Sequence, residues 1–562
     1  MSYLFKQKVA FLLLIVFFFS GIGSASLETP APGDHEPGVL IICFTPEVAG
    51  DVHYLEEAAS QLHQAIGSAV LEDSEDLGLE GVQYIALSPE VSVEAAMIYY
   101  LSDPAILWAE PNYIVRIPEP VGGMFPGGEP LDTPPATQIS LRMAGALFSS
   151  PMTNPNDPEF ARQWNLKKVE APAAWDISAG SASVVIAVID TGIDFSNPDF
   201  SERIWTNSRE IPQNGIDDDG NGFIDDIHGW DFVNADNDPG DDYGHGTAVS
   251  SVIAARVNNG FGIAGMMPDV RIMPLKAGDQ NGILYSRDIA KATQYARENG
   301  AHLVLCSFGK YVSDTLERLQ IQQSPTQIFI CAAGNDGNNN DLMPFFPASY
   351  PLSHIISVAA AGRNDELPAW SNFGQATVHV GAPGVDIPVY SRSHVPVTAS
   401  GTSYAAPHVA GVACLLLSKD PSLSPLQVKN LILASADPGP LSGFTISCGR
   451  INAYRALSSL TPSPTTVPTT VSPTPTPAGG DADFSAVVTT GPAPLTVQFT
   501  DTSTGNPTGW SWNFGDGKTS TIQNPVHTYT NAGIYSVSLR ITTTTGGYRM
   551  LKTGLISVQP RQ

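Results

Sequence analysis

The chain has 562 residues, with 55 acidic against 28 basic side chains for a formal net charge of −27, and only 15% of its residues are charged. Phosphate-binding surfaces need clustered Lys and Arg, so this balance excludes nucleic acid as a partner. The length allows about three or four domains, at least one with a large core.

The N-terminus reads MSYLFKQKVAFLLLIVFFFSGIGSAS, with Lys6 and Lys8 ahead of an apolar stretch and the small residues Gly23 and Ala25 behind it. This is the three-part pattern of a secretory signal over 1–25, cut after Ala25. The alternative, a retained membrane anchor, is opposed by Gly21 and Gly23, which shorten the apolar run below a comfortable span. The product is therefore expected to be secreted or held at the cell surface.

Cys43, Cys306, Cys331, Cys414 and Cys448 are too scattered to form a disulfide framework, and the absence of CxxC or a Cys/His cluster argues against zinc. Residues 36–118 contain the strand patterns GVLIICF and VQYIALS and the amphipathic patterns YLEEAASQLHQAIG and VSVEAAMIYYLS, which predict a small α+β domain ending in AEPNYIVRI. A Gly/Pro-rich linker fills 119–154.

From 155 to 458 the pattern changes to β-branched runs between helical segments: VVIAVID, VRIMPLK, LVLCSFG, QIFICAAGN, HIISVAAAG and TVHVGAPG. Such runs predict a mainly parallel sheet covered on both faces, with its site beyond the carboxyl ends of the strands. There the polar endings IDTG, CSFG and AAGN fall. Residues 459–480 form a Pro/Thr-rich spacer that suits O-linked sugar and reaches roughly 60 Å in polyproline form. Residues 481–560 alternate at period 2, as in Leu495, Val497, Phe499 and in Trp510, Trp512, Phe514, and predict an all-β sandwich whose aromatics are core.

Ser403 stands in GTSYAAPHVAG, directly before an apolar run. It reads either as a helix cap or as a nucleophile at a positive helix terminus. Serine chemistry needs a base and a group to orient that base. Asp190 ends the strand VVIAVID, and His245 opens the apolar helix of YGHGTAVSSVIAA. The chain order Asp190, His245, Ser403 is that of subtilisin, and the GxSxG and Ser–Asp–His order of the other α/β serine hydrolases are absent.

AVIDTGID, GHGTAVSSVIAA, AAGNDG and GTSYAAPHVAG together resemble the subtilisin-like serine proteases, and the thermitase-like members in particular, over roughly 157–458. The resemblance implies a three-layer α/β domain that hydrolyses peptide bonds through an acyl-enzyme. Ser403 would attack, His245 would carry the proton, Asp190 would orient His245, and Asn335 would join the Ser403 N–H in binding the oxyanion. An extended polypeptide substrate would lie between the edge at Ser307, Phe308 and Gly309 and the edge around Gly282. The primary pocket would be walled by 307–309 together with Ala333 and Gly334, with no fixed charge and hence an apolar or broad preference. Two departures are visible, Ala248 where the family has a second histidine and Tyr404 where many relatives have methionine.

The same resemblance makes 36–118 an inhibitory propeptide, removed by the enzyme itself, so that the chain is a zymogen. It makes 481–560 a polycystic-kidney-disease-type repeat, whose role would be spacing, contact with a cell surface or glycan, or substrate binding. A competing class is an adhesion protein in which an inactive protease-like domain is only a scaffold.

Calcium is the one cofactor expected, in a structural role. NGIDDDGNGFIDDIHGWDF sets Asp217, Asp219, Asn221 and Asp225 in the spacing of a calcium loop, although its twelfth position is His228 rather than Glu, and a solvated acidic turn is the alternative. Thermitase-like relatives imply two further groups, one of Asp157, Asp199 and Asn259 and one of Asp231, Asn234, Asp236 and Asp238.

Overall fold

Strand β1 (Val39–Phe44) is apolar at every position and buried at every position, so it can only be a central strand. In the computed structural model it lies between β3 (Val82–Ala86) and β4 (Ile106–Glu110), both antiparallel to it, with β2 (Ala69–Glu72) at the edge. Helices α1 (Val52–Ile66) and α2 (Val93–Leu101) pack on one face, burying Leu62, Ile66, Val93, Ala96 and Tyr100 against Leu40, Ile42 and Phe44. Asp51 and Ser92 cap the two helices. The short β2 has no alternating pattern and is largely exposed, which is why its sequence does not announce a strand.

The structure describes residues 35–117, 154–460 and 482–559, apart from positions 391, 393, 487, 488, 504–506, 517, 544 and 545. The expected signal at 1–25 and nearly all of both linkers lie outside the described residues. Among the described residues no helix is long and apolar enough to cross a membrane, and the cysteines are unpaired.

The central unit is built on a nine-stranded sheet. Its strands are β6 (Gly180–Asp190), β7 (Trp230–Asp231), β8 (Asp269–Lys276), β10 (Leu303–Cys306), β11 (Ile328–Ala332), β12 (Ile355–Ala361), β13 (Val380–Pro383), β16 (Asp437–Pro438) and β17 (Gly449–Arg450), in the order β16-β17-β13-β12-β11-β10-β6-β8-β7. Every neighbouring pair is parallel except β16–β17. One face carries α3 (His245–Ala254) and α6 (Thr402–Lys419) in the largest apolar core. The opposite face carries α4 (Ser286–Glu298), which buries Ile289, Ala292, Tyr295 and Ala296 against Ala187, Ile189 and Val304. Helix α6 is buried from Thr402 to Leu417, so each of its Leu-to-Ala truncations there would cost about 2–5 kcal/mol.

The C-terminal unit has a three-stranded and a five-stranded sheet. Phe484, Phe499, Trp512, Phe514 and Tyr529 fill the space between them, as core rather than as an exposed stripe.

The N-terminal unit docks on α4 and on α5 (Thr315–Gln322). Val39, Ile41, Cys43, Leu77, Val82 and Tyr84 form a single apolar cluster with Ala290 and Leu316. Glu72 takes both Arg287 and Lys291 in ion pairs. The Asn112 Oδ1 accepts the Arg287 N–H at the start of α4, and the Glu110 carboxylate accepts the Thr315 and Leu316 N–H groups at the start of α5. Each helix thus has a free N-terminal donor satisfied by a side chain of the other unit.

Glu110 shares its helix end with Asp314, which caps the Glu317 N–H, while Lys310, Glu317, Tyr113 and Cys43 complete the charged and titratable surroundings. Burial and then Asp314 push Glu110 up to about 8, against the two N–H donors that pull it down. A carboxyl raised on docking stabilises the docked state fully below its ordinary range and loses that contribution as pH rises through the higher value. In the Ser403→Ala chain, which is expected to stay whole, the melting temperature of the docked N-terminal unit should therefore fall between about pH 5 and 8. Glu110→Gln should flatten that fall, and melting curves of the two chains across this range check it.

Candidate active site

Asp190 is the last residue of β6 and wholly buried; both its oxygens face the His245 Nδ1, at 2.9 and 3.0 Å. His245 is the first residue of α3, after Gly244 at a φ of 115°, a left-handed value that favours glycine. The strand end and the helix start are tied by side chains. The Thr191 N–H donates to Asp190 at 2.8 Å, and the Thr191 hydroxyl accepts from the Gly246 N–H and donates to Asp241, both at 2.9 Å. Asp241 also accepts from the Tyr243, Gly244 and Thr247 N–H groups, and burial raises its pKa. His245 is therefore held at Nδ1, while its Nε2, also buried, has no hydrogen-bond partner.

Ser403 is the second residue of α6. The cap is Gly401, with a φ of 161° and no side-chain bond, so Ser403 is not the cap of its helix. Its Oγ donates to the Ser307 carbonyl at 3.1 Å, and the Ser307 hydroxyl returns a bond to the Ser403 carbonyl at 3.2 Å. The Ser403 N–H lies in the first turn, where helix geometry leaves donors without an internal partner. Asn335 follows β11, and its Oδ1 accepts from both the N–H and the hydroxyl of Thr402, each at 2.8 Å. That pairing fixes the amide with its Nδ2 turned away from Thr402, beside Gly401. The Thr402 hydroxyl also accepts from the Gly334 N–H.

Asp190, His245, Ser403 and Asn335, read from four separated motifs, thus lie at the carboxyl end of one sheet. The expected edges also come together, and the N-terminal unit lies between them. Strand β5 (Ile114–Arg116) pairs antiparallel with β9 (Ile283–Tyr285), the Ile117 N–H donates to the Gly282 carbonyl, and Arg116 bridges Gly309 on the other side. An extended strand is therefore gripped on both edges by main chain, the geometry of strand addition. Ser307, Phe308, Ala333 and Gly334 are buried.

The acidic groups are less uniform. Asp157, Asp199 and Asn259 meet: Asp157 accepts the Asn258 and Asn259 N–H groups, and the Asn259 Nδ2 donates to Asp199. The Tyr390 hydroxyl donates to the other Asp199 oxygen, and burial pushes Asp199 up to about 6. Asp217 and Asp219 gather with Glu210, with oxygens within 4.8 Å of one another. In contrast, Asp225 turns to the Asn214 and Gly215 N–H groups and Asn221 to Phe223 and Asp226. Asp231, Asp236 and Asp238 each accept N–H groups two or three residues on, and Asn234 bonds Asp231, as in a run of tight turns.

A model described as the Subtilase family matches residues 181–469. The chain belongs to the subtilase family. It is a subtilisin-like serine endopeptidase. A PKD domain model matches residues 470–557. The chain is 32% identical over 428 residues to the thermophilic serine proteinase of Bacillus sp. (strain AK1), covering 76% of this subtilase and 88% of that protein. It is 34% identical over 306 residues to thermitase of Thermoactinomyces vulgaris, covering 54% and 99%. Among solved structures it resembles fervidolysin from Fervidobacterium pennivorans, a keratinolytic enzyme related to subtilisin, with a TM-score of 0.60 at 19% identity over 95% of this chain and 79% of that one.

Thr191, Asp241, Thr402 and Glu210 were not singled out from the sequence of this subtilase. Thr402 and Thr191 carried a signal only as neighbours of Ser403 and Asp190; the ties of Thr191 to Asp241 and Gly246 span 50 and 55 residues of chain, and Glu210 lies seven residues before Asp217. Thr402→Val keeps the shape and removes the hydroxyl that holds Asn335. It should lower turnover on peptides about tenfold with little change in KM, and Asn335→Ala should lower it further, by about 10²- to 10³-fold, a range known from subtilisin. Steady-state kinetics of both variants provide the check.

Proposed function

We propose that this subtilase is a secreted zymogen whose Ser403, His245 and Asp190 form the catalytic triad and whose N-terminal unit, 36–118, is a self-removed propeptide. The observation that carries the reading is a histidine fixed at Nδ1 by a buried carboxylate with its Nε2 unpartnered, in a unit whose main-chain edges hold an extended strand.

To react, the Ser403 hydroxyl, which here donates to the Ser307 carbonyl, would turn to the His245 Nε2. As the oxygen attacks the scissile carbonyl, its proton passes to Nε2, and Asp190 stabilises the resulting imidazolium without itself being protonated. The carbonyl oxygen becomes an oxyanion, received by the Ser403 N–H at the positive end of α6 and by the Asn335 Nδ2. His245 then returns the proton to the leaving amine, and water repeats the cycle on the acyl-enzyme.

The tail of the N-terminal unit supports the propeptide reading, because it occupies the channel a substrate needs. The sequence pattern at 1–25 supports export, and the domain limits are taken as 155–458 for the peptidase and 481–560 for the PKD-type sandwich. Calcium is proposed as a structural ion, held by Glu210, Asp217 and Asp219, whose carboxylate oxygens lie within 4.8 Å of one another, and by Asp157, Asp199 and Asn259; hard oxygens of this kind are the donor set it takes. It would offset their repulsion and join distant loops, and the triad chemistry needs no metal.

A fluorophosphonate probe should label wild-type protein at Ser403 alone, and Ser403→Ala should be exported with residues 26–117 still attached while the wild type appears shortened. Mass spectrometry of the secreted products reads both, and a wild type that is neither labelled nor shortened would remove the reading. Chelation should lower the melting temperature, and calcium at about 100 times its Kd should restore roughly 5–10 °C. Identical melting curves with and without chelator would leave the acidic groups as solvated turns.

A further inference from the structure

We propose that Phe345 closes the primary specificity pocket, so that this subtilase selects a small residue, Gly, Ala or Ser, on the acyl side of the scissile bond. The proposal rests on the channel and nucleophile assigned above.

The channel sets the register. Arg116 stands opposite Gly309 in an antiparallel bridge. In such a ladder each step forward along one strand is a step back along the other, so in a peptide that bridges Gly309 in this way the residue two positions further on would stand opposite Ser307. The Ser307 carbonyl is also the group that receives the Ser403 hydroxyl at 3.1 Å. A peptide bound in this register therefore presents its acyl residue opposite Ser307, with its side chain directed at the space between 307–309 and Ala333–Gly334.

That space holds the Phe345 ring. A Cβ at Gly309 would overlap the ring, and a Cβ at Gly334 would stand 3.3 Å from its Cδ1, so the same ring touches both walls. Phe345 is only 4% exposed, yet it belongs to none of the apolar core clusters of the described residues. Its ring lies instead against the two glycine walls and the Tyr311 ring.

The ring is also held in place. Lys310 and Phe346 exchange backbone hydrogen bonds of 2.9 and 2.8 Å, which fixes the segment beside Gly309. The Phe345 N–H donates to the Ser349 hydroxyl, and the Ser349 N–H donates to the Phe345 carbonyl. The Tyr311 ring meets Phe345 edge-on at 5.0 Å, and its hydroxyl donates to Asp336 and accepts from the Asn372 Nδ2. Admitting a large apolar side chain would mean displacing a ring packed on several sides, whereas a methyl or hydroxymethyl group needs only the space beside it.

The test is a set of peptide substrates that differ only in the acyl residue, Ala, Ser, Leu or Phe, cleaved by the full secreted protein. Wild type should cleave the Ala peptide with a kcat/KM at least about tenfold above that for Phe. Phe345→Ala should raise kcat/KM for the Phe and Leu peptides about tenfold or more while leaving the Ala peptide within a few-fold, with Phe345→Leu between them. A wild type that cleaves Phe and Leu as well as Ala overturns the proposal without needing a variant, as does an active Phe345→Ala whose ratio is unchanged. Fluorophosphonate labelling separates the two levels: labelled protein with a large-residue preference sinks the pocket alone, whereas unlabelled, inactive wild type sinks the catalytic reading with it.

Discussion

Burial of α6 from its first turn onward is the constraint on which the catalytic end depends. A helix sealed by β6, β11, β12, β13 and α3 cannot send its N-terminal N–H groups to bulk water on the sides where it is packed. They open toward the cleft, and the positive end of the helix opens with them. The sequence makes this arrangement by placing Gly401 at the cap instead of a Ser, Thr, Asp or Asn whose side chain would consume a donor. Of the first-turn donors, the Tyr404 N–H goes to the Gly401 carbonyl, and the Ser403 N–H is the donor that the proposed oxyanion would use. Thr402 then spends its own N–H and hydroxyl on Asn335, which turns a flexible amide into a fixed donor.

The histidine side is built on the opposite logic, with the strand end and the helix start tied together by side-chain hydrogen bonds. Thr191 and Asp241 link the end of β6 to the start of α3, and the close approach leaves no room for a Cβ at Gly246, which would strike the Gly192 backbone. Asp190 therefore reaches the Nδ1 of His245 through a linkage in which neither element can shift alone. The His245 Nε2, which has no hydrogen-bond partner, is the atom the proposed mechanism uses. The N-terminal unit follows the same rule of unsatisfied helix ends on α4 and α5, whose first N–H groups are completed by Asn112 and Glu110 across the interface. A central unit that leaves these ends open gains most from a partner that closes them, and that partner's tail reaches the channel because β5 follows within a few residues of those two caps.

How much of this was legible depends on whether the signal is local. Asp190 and Asn335 close apolar strand patterns, and His245 and Ser403 open apolar helix patterns, so each is marked by a change of period within a few residues. The parallel sheet and its carboxyl-end site follow from the same alternation. Asp241 reads as one more acidic turn residue, and its tie to Thr191 spans 50 positions of chain. Glu210 precedes the DDDG turn by enough that spacing rules for a calcium loop pass over it, while Asp225, which those rules favour, caps the turn at Asn214 and Gly215 instead. Phe345 lies in a coil of mixed composition, NNNDLMPFFP, where no periodicity operates. Only the fold brings its ring onto Gly309.

These differences also divide affinity from selection in the channel. The edges at 282–285 and 307–309 meet an extended chain through backbone N–H and carbonyl groups, which every residue except proline presents alike. Such an interface binds polypeptide as a class and cannot by itself choose among sequences. Discrimination has to come from side-chain space, and an apolar space discriminates chiefly by excluded volume, since an added methylene gains only about 1–3 kcal/mol where it fits and meets a steeply rising repulsion where it does not. In a channel with generic edges, the proposed packing of one ring against two glycines would be enough to decide which bonds in an extended substrate come within reach of Ser403.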